Sequence, residues 1–336
     1  TTYYETLPAD RIELALSAEA DRMTGALFDP DDTESERNVV IAERHDNENS
    51  PTFWLNEAMR ATAFMVHGYH HEIIGDMPDL KTMSREALIA HYHKHYVPAN
   101  ATVIGVGAFE TPAMLEKIHA YYGDLPHCEK PDLFMRPEPE QQGERRVHIE
   151  RPGQTAFVRV AHRVPPARHD DWFSLEILDS VLTGPGGGVD NKTSRLYRAL
   201  VKTGIAASIG GGLQETIDPY LYTTGIKLND GHDHETAERI LLEELAKIQD
   251  EGITEHELKR AKKQAVAAFA YSTESVTNRA YWMAQGAALG DIHWLAHYME
   301  RLNRVTLADV QQVAQQYLIP RNRTVGWLIP VRQERA

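Results

Sequence analysis

The chain has 336 residues, enough for about two domains that each bury a core of their own. Hydrophobic residues make up 42% and charged residues 25%, and no uncharged apolar run approaches the roughly 18 residues of a membrane span, so the composition is that of a soluble globular protein. A formal net charge of -14 argues against a nucleic-acid backbone binder, and the single cysteine, Cys128, excludes an internal disulfide, a cysteine metal cluster or a redox pair.

The chain opens on "TTYYETLPAD", with neither an initiator Met nor a basic-then-apolar leader, and reads as a processed or truncated product. The next strong signal is "TESERNVVIAER", residues 33–44, where Thr33 and Glu36 have the spacing of a capping box at a helix start. Further on, residues 83–107 read as an amphipathic helix, a Pro98-Ala99-Asn100 turn that cannot continue it, and a short apolar strand.

Residues 125–146 contain four prolines and many charges, the composition of an exposed linker. Beyond it come strand-like runs "RVHIE" and "TAFVRVAH", a helix at 169–182, the glycine loop "GPGGGVDNKTSR", a helix around "SRLYRALVK", and strands around "IAASIGG" and "YLYTTGIKL".

The last part of the chain repeats the first. Residues 305–329 align without gaps to 83–107, and Pro98, Asn100, Thr102 and Val103 recur as Pro320, Asn322, Thr324 and Val325. Likewise "TEHELKRAKKQ" (254–264) matches 33–43, with Thr254 and Glu257 repeating the capping-box spacing. The first copy has no counterpart to the block that opens the second, and "TTYYETL" corresponds best to the last strand of that block. The first copy thus lacks roughly its first 75 residues.

This order predicts an α+β fold of two homologous domains, each a largely antiparallel sheet covered by helices. The boundaries fall at 1–124 for the incomplete first domain, 125–146 for the linker and 147–336 for the second domain.

Glu36 and Glu43 lie seven positions apart, almost on one line of a helix, with Val39 and Val40 between them. Capping accounts for Glu36. Glu43 lies beyond the first turn, where neither capping nor the helix dipole explains it, and its counterpart in the second copy is Gln264. A half-buried carboxylate there needs an ion-pair partner such as Arg37 or Arg44, or a bound cation.

Four stretches together, "TTYYETLPADRIELALSAEADRM", "ESERNVVIAERHDNENSP", the segment from "IIGDMPDLKTMS" to "HYVPANATVIGVGAF", and "GPGGGVDNKTSRLYRALVKTGIAAS", resemble the pitrilysin or insulinase-type zinc metallopeptidases, which include mitochondrial processing peptidase. The resemblance covers nearly the whole chain. It implies two homologous domains and a zinc ion held by an inverted H-x-x-E-H helix plus a glutamate roughly seventy-odd residues downstream. That glutamate matches Glu43, and a supporting acidic residue one heptad earlier matches Glu36. On this alignment the histidine helix precedes Thr1, within the block that the repeat finds missing, so the residues present are expected to hold no catalytic zinc by themselves.

The sequence departs from the family where active members carry an Arg and a Tyr, seven residues apart, that bind the substrate backbone. Those positions are Leu200 and Ala207, and Arg198 is out of register. The resemblance therefore implies a peptide substrate and a homologous partner subunit, or self-association, to supply the missing pair; the absence of a nucleic acid partner is expected from the net charge. It gives no fixed compartment, though paired bacterial members point to the periplasm.

Other metal and phosphate signals are weaker. His91 and His95 have the i, i+4 spacing of a zinc helix but are replaced by Val313 and Tyr317 in the repeat, and "HGYHHE" (67–72) has the residue types in the wrong order. "GHDH" (231–234) reads as a polar turn, and the glycine loop lacks the Gly-Lys-Ser/Thr ending of a phosphate loop. Two functions remain: a zinc endopeptidase subunit cutting extended peptides, and a non-catalytic scaffold or regulatory subunit of the same fold paired with an active homologue.

Overall fold

A computed structural model describes residues 1–132, 134–185 and 192–331. The fold is α+β, as the order of elements predicts, and the described residues cluster into two compact units.

The second unit comprises Asn47–Glu72, Arg136–Tyr271 and Ala288–Ala336. Its centre is a five-stranded sheet of β1 (Arg145–Pro152), β2 (Phe157–Val164), β3 (Ala206–Gly212), β4 (Tyr220–Leu228) and β5 (Arg323–Val331), in the order β1-β5-β2-β4-β3. The β5-β2, β2-β4 and β4-β3 pairs are antiparallel, whereas β1 runs parallel to β5.

The alternation of β2 shows why the sheet is layered. Val158, Val160 and His162 face a helical layer built from α7 (Asp171–Leu182), α8 (His234–Glu251) and α12 (Leu307–Tyr317), and all three are buried. Phe157, Arg159 and Ala161 point to the opposite face.

On that opposite face lies α3 (Pro51–Ala63), a helix from the first copy of the repeat, packed over β1 and β5. Leu55, Met59 and Ala63 are buried against Ala161 and Leu328, with Val147 and Ile149 beside them. Close approach of the helix requires Gly326 beneath it: a Cβ there would lie 2.4 Å from Met59 Sδ and 2.8 Å from Leu55 Cδ1.

The first unit comprises Thr1–Asp46, Ile73–Met135 and Ser272–Ala287. It is helical: α1 (Ile12–Thr24), most of α2 (Pro30–Glu48), α4 (Met77–Thr82), α5 (Arg85–His95), α6 (Thr111–Tyr122) and nearly all of α10 (Val276–Ala288). The repeat pairs α3 with α10, so each unit includes a helix supplied by the other copy. The exchange begins near the ends of the equivalent helices α2 and α9 (Glu255–Ser272).

The strands expected in the first copy do not form. Residues 1–7 and 101–106 carry no strand, although 101–107 is the counterpart of β5. β5 is stabilised by β1 on one side and β2 on the other. The first copy contains no counterparts of those two strands, so its backbone groups find no ladder partner. The helix around "SRLYRALVK" is also altered: two helical residues lead into a π-helical turn at Tyr197–Val201.

Candidate functional site

The line of Glu36 and Glu43 lies on α2, a continuous helix of 19 residues. Two turns separate the carboxylates, about 10 Å along the axis. Both are exposed, and neither accepts a hydrogen bond or ion pair from another described residue. Glu43 is therefore not the half-buried group its spacing from the valines suggests, and Val39 is itself 55% exposed.

The capping box expected at Thr33 is absent as well. α2 begins three residues earlier at Pro30, a favourable first helical position, and Asp29 Oδ1 accepts the Asp31 backbone N–H at 2.9 Å. Thr33 lies inside the helix, and its hydroxyl donates back to the Asp29 carbonyl at 2.7 Å. In the second copy the box does form: the Thr254 N–H donates to Glu257 Oε2 at 2.9 Å, and the Glu257 N–H donates to Thr254 Oγ1 at 3.2 Å. Glu257 thus has a structural task that Glu36 lacks.

The arginines considered as partners are engaged elsewhere. Arg37 donates to the Leu80 and Met83 carbonyls at 2.6 and 2.7 Å and pairs with Glu34 at 3.0 Å. Arg44, buried, donates to the Gly75 carbonyl at 2.6 Å. One face of α2 thereby anchors the 75–83 segment, and the adjacent glutamate line is left open to solvent.

Zinc requires three protein ligands and an open position for catalysis. Among the described residues no group of three or more His, Cys, Asp or Glu side chains is arranged to hold a metal ion. Glu43 alone does not fit zinc. The His91 and His95 rings lie 4.4 Å apart, tilted by 41° to each other. His67 Nδ1 accepts the Tyr69 N–H at 3.1 Å while its Nε2 lies 3.3 Å from Asp218. In "GHDH", Asp233 caps α8 through the Thr236 N–H at 2.7 Å, and His234 stacks on Trp327.

At the positions of the family's Arg and Tyr, Leu200 is fully buried and Ala207 is exposed at the start of β3. Arg198 turns toward Glu257, 3.8 Å away. Residues 186–191 of the glycine loop lie outside the described residues.

A second feature was not singled out from the sequence. Because α3 packs mainly over β1 and β5, part of the same face of β2, β4 and β3 stays open and forms a cleft of about 490 Å³. One row of the sheet register crosses it: Gly326, Arg159, Gly225 and Gly210 stand side by side on β5, β2, β4 and β3. Of these four only Arg159 carries a side chain, and Val147 on β1 continues the row under α3. The signal available in the sequence was the glycine content of two strand interiors, "IGGG" and "TTGIK", which marks close approach of a ligand or another backbone.

The charge in the cleft is one-sided. Arg60, Arg159 and Lys227 line it, and among the described residues no carboxylate does. Arg60 is offset by Glu72 at 2.7 Å. Arg159 pairs with no described carboxylate, and burial, with the Arg60 charge as a smaller cause, holds its guanidinium below the ordinary arginine range.

Comparison with known proteins agrees with this architecture. Residues 82–265 match the family described as Peptidase M16 inactive domain. The chain is 26% identical to Zinc protease PqqE of Helicobacter pylori, over 98% of this chain and 74% of that protein. It is 20% identical to Mitochondrial-processing peptidase subunit beta of Blastocladiella emersonii, over 98% and 71%. The solved structure of a protease from Helicobacter pylori superposes with a TM-score of 0.89 at 24% identity, covering 96% of this chain and 77% of the other. Relatives thus include zinc proteases, and the fold is that of solved members. The chain belongs to the M16 family of pitrilysin or insulinase-type zinc metallopeptidases, by its match to the family model described as the inactive domain.

Proposed function

We propose that this chain is the zinc-type subunit of an endopeptidase that hydrolyses extended peptides, with Glu43 as the single zinc ligand it contributes here and Glu36 as a supporting acidic residue. The observation that carries this reading is the isolation of the glutamate line. Capping does not account for Glu36, ion pairing does not account for Glu43, and the neighbouring Arg37 and Arg44 are committed to carbonyl groups. Zinc held by two imidazoles and a carboxylate supplies a polarised water when bound. The histidines come from residues outside this sequence.

Buried Leu200 and exposed Ala207 leave this chain without the Arg and Tyr that hold a substrate backbone, so a homologous subunit supplies them. The names of two relatives, a zinc protease and a processing peptidase subunit, support both parts of the reading. A scaffold or regulatory subunit of the same fold is the second reading. The match to a family described as an inactive domain favours it.

The deciding experiment uses the gene upstream of Thr1 and the full protein it encodes, with zinc measured by mass spectrometry and cleavage of a quenched fluorescent peptide measured with and without the homologous partner. Stoichiometric zinc that is lost in Glu43→Gln is expected. Glu36→Gln is expected to weaken zinc affinity by roughly 10- to 100-fold. An upstream sequence without H-x-x-E-H would end the peptidase reading in favour of the scaffold.

A further inference from the structure

The cleft beside α3 combines three independent features. Its floor is a glycine row, Arg159 is a half-buried cation in it with no described acidic partner, and its outer wall is β3, which is the edge strand of the sheet among the described residues.

The glycines make the trough. A Cβ added at Gly225 would lie 4.0 Å from Arg159 Cγ and 3.9 Å from the Gly210 carbonyl oxygen, so the Arg159 stem borders the space that a side chain at 225 would occupy. A Cβ at Gly212 would meet nothing within 4 Å. By contrast, Gly211 faces the helical layer, where Asp179 and Thr183 leave no room for a side chain. Alternate glycines of β3 therefore serve opposite faces, and the face of Gly210 and Gly212 is the open one.

A guanidinium withdrawn from water without an acidic partner is unfavourable in isolation, and an incoming carboxylate removes that penalty while accepting two parallel N–H bonds. The chain carries a net charge of -14, yet among the described residues no acidic one lines this cleft. An extended backbone suits the remaining geometry, because edge strands present unpaired N–H and C=O groups and a glycine floor admits a second main chain.

We propose that this trough is a subsite for a carboxylate carried by an extended peptide, with the Arg159 guanidinium as its anchor and β3 as the strand along which the peptide runs. That the ligand is a peptide rests on the function proposed above; the carboxylate preference rests on Arg159 and the glycine row. The carboxylate belongs either to an acidic side chain or to a peptide C-terminus.

The test is calorimetric titration of the chain, without metal, using three peptides of one extended sequence: an internal Glu with both ends blocked, Gln in its place with both ends blocked, and the Gln peptide with a free C-terminal carboxylate. At least one carboxylate peptide is expected to bind roughly 10- to 100-fold more tightly than the blocked Gln peptide, in line with a charge-assisted hydrogen-bonded pair. The two carboxylate peptides tell side chain from terminus. Arg159→Gln is expected to abolish the preference, and Gly225→Val, which keeps Arg159 but fills the trough, to weaken both carboxylate peptides.

Equal affinities for all three peptides, no binding of any, or an Arg159→Gln protein that discriminates like the parent would overturn the proposal. Should Arg159→Gln fail to fold, undiminished binding by folded Gly225→Val would overturn it. Because no zinc enters this measurement, a carboxylate preference beside an inactive full-length protein would sink the peptidase reading alone. Equal affinities beside an active one would sink the trough alone.

Discussion

Arg195 and Glu257 form a two-point ion pair in which Nε donates to Oε1 and Nη2 donates to Oε2, each at 2.8 Å. Glu257 is 6% exposed and also accepts from the Thr254 backbone and hydroxyl. It therefore joins the start of α9 to the short helix that leads into the π-turn.

Burial opposes ionisation of Glu257, but the Arg195 and Thr254 hydrogen bonds prevail and hold it at about 2. A depressed carboxylate contributes stability that is complete above the unfolded value, roughly 4.3, and is lost as pH falls through about 2. The contribution is on the order of 3 kcal/mol. Urea denaturation is expected to show Glu257→Gln less stable than the parent at pH 7, with the gap closing as pH falls below 4. A gap that persists unchanged at pH 2.5 would contradict this account.

Glu138, in the proline-rich segment, accepts three consecutive backbone N–H groups, from Met65, Val66 and His67, at 2.7, 2.8 and 3.0 Å. Burial raises its pKa, yet those donors and Arg163 bring it below the usual carboxylate range. Glu138→Ala leaves the three amides without their acceptor, at a cost of roughly 1–3 kcal/mol. Hydrogen exchange of these amides is expected to accelerate in the variant, by more than that of the Leu55–Ala63 amides.

Gly326 and Met59 define how closely α3 meets the sheet. Gly326→Ala is expected to destabilise by roughly 1–3 kcal/mol through overpacking, and Met59→Ala by roughly 2–5 kcal/mol through cavity formation. The double variant should lose less than the sum, because the shortened residue 59 leaves room for the added methyl group. Strict additivity in a double-mutant cycle would show that the contact is not what limits the approach.

Much of the second unit was legible from local pattern. "TAFVRVAH" and "YLYTTGIKL" formed strands β2 and β4, the Thr254-Glu257 box formed as spaced, and the Pro-Xaa-Asn turn preceded β5. These signals are local and chemical, so a sequence carries them. The same reasoning failed at Thr33, because Pro30 and Asp29 offered an earlier helix start. It also failed at 101–106, because a strand exists only when a neighbour takes its hydrogen bonds.

The sequence by itself determined the α+β class, the internal repeat and the family, since each depends on residue identity and spacing along one chain. Only the tertiary structure decided that α3 and α10 change units, that the glutamate line stands open while Arg37 and Arg44 are occupied, and that Arg159 stands in a row of three glycines. Those facts depend on strand register and on which face a helix covers. Residues 159, 210, 225 and 326 are far apart in sequence, and pairing of the strands is what places them side by side.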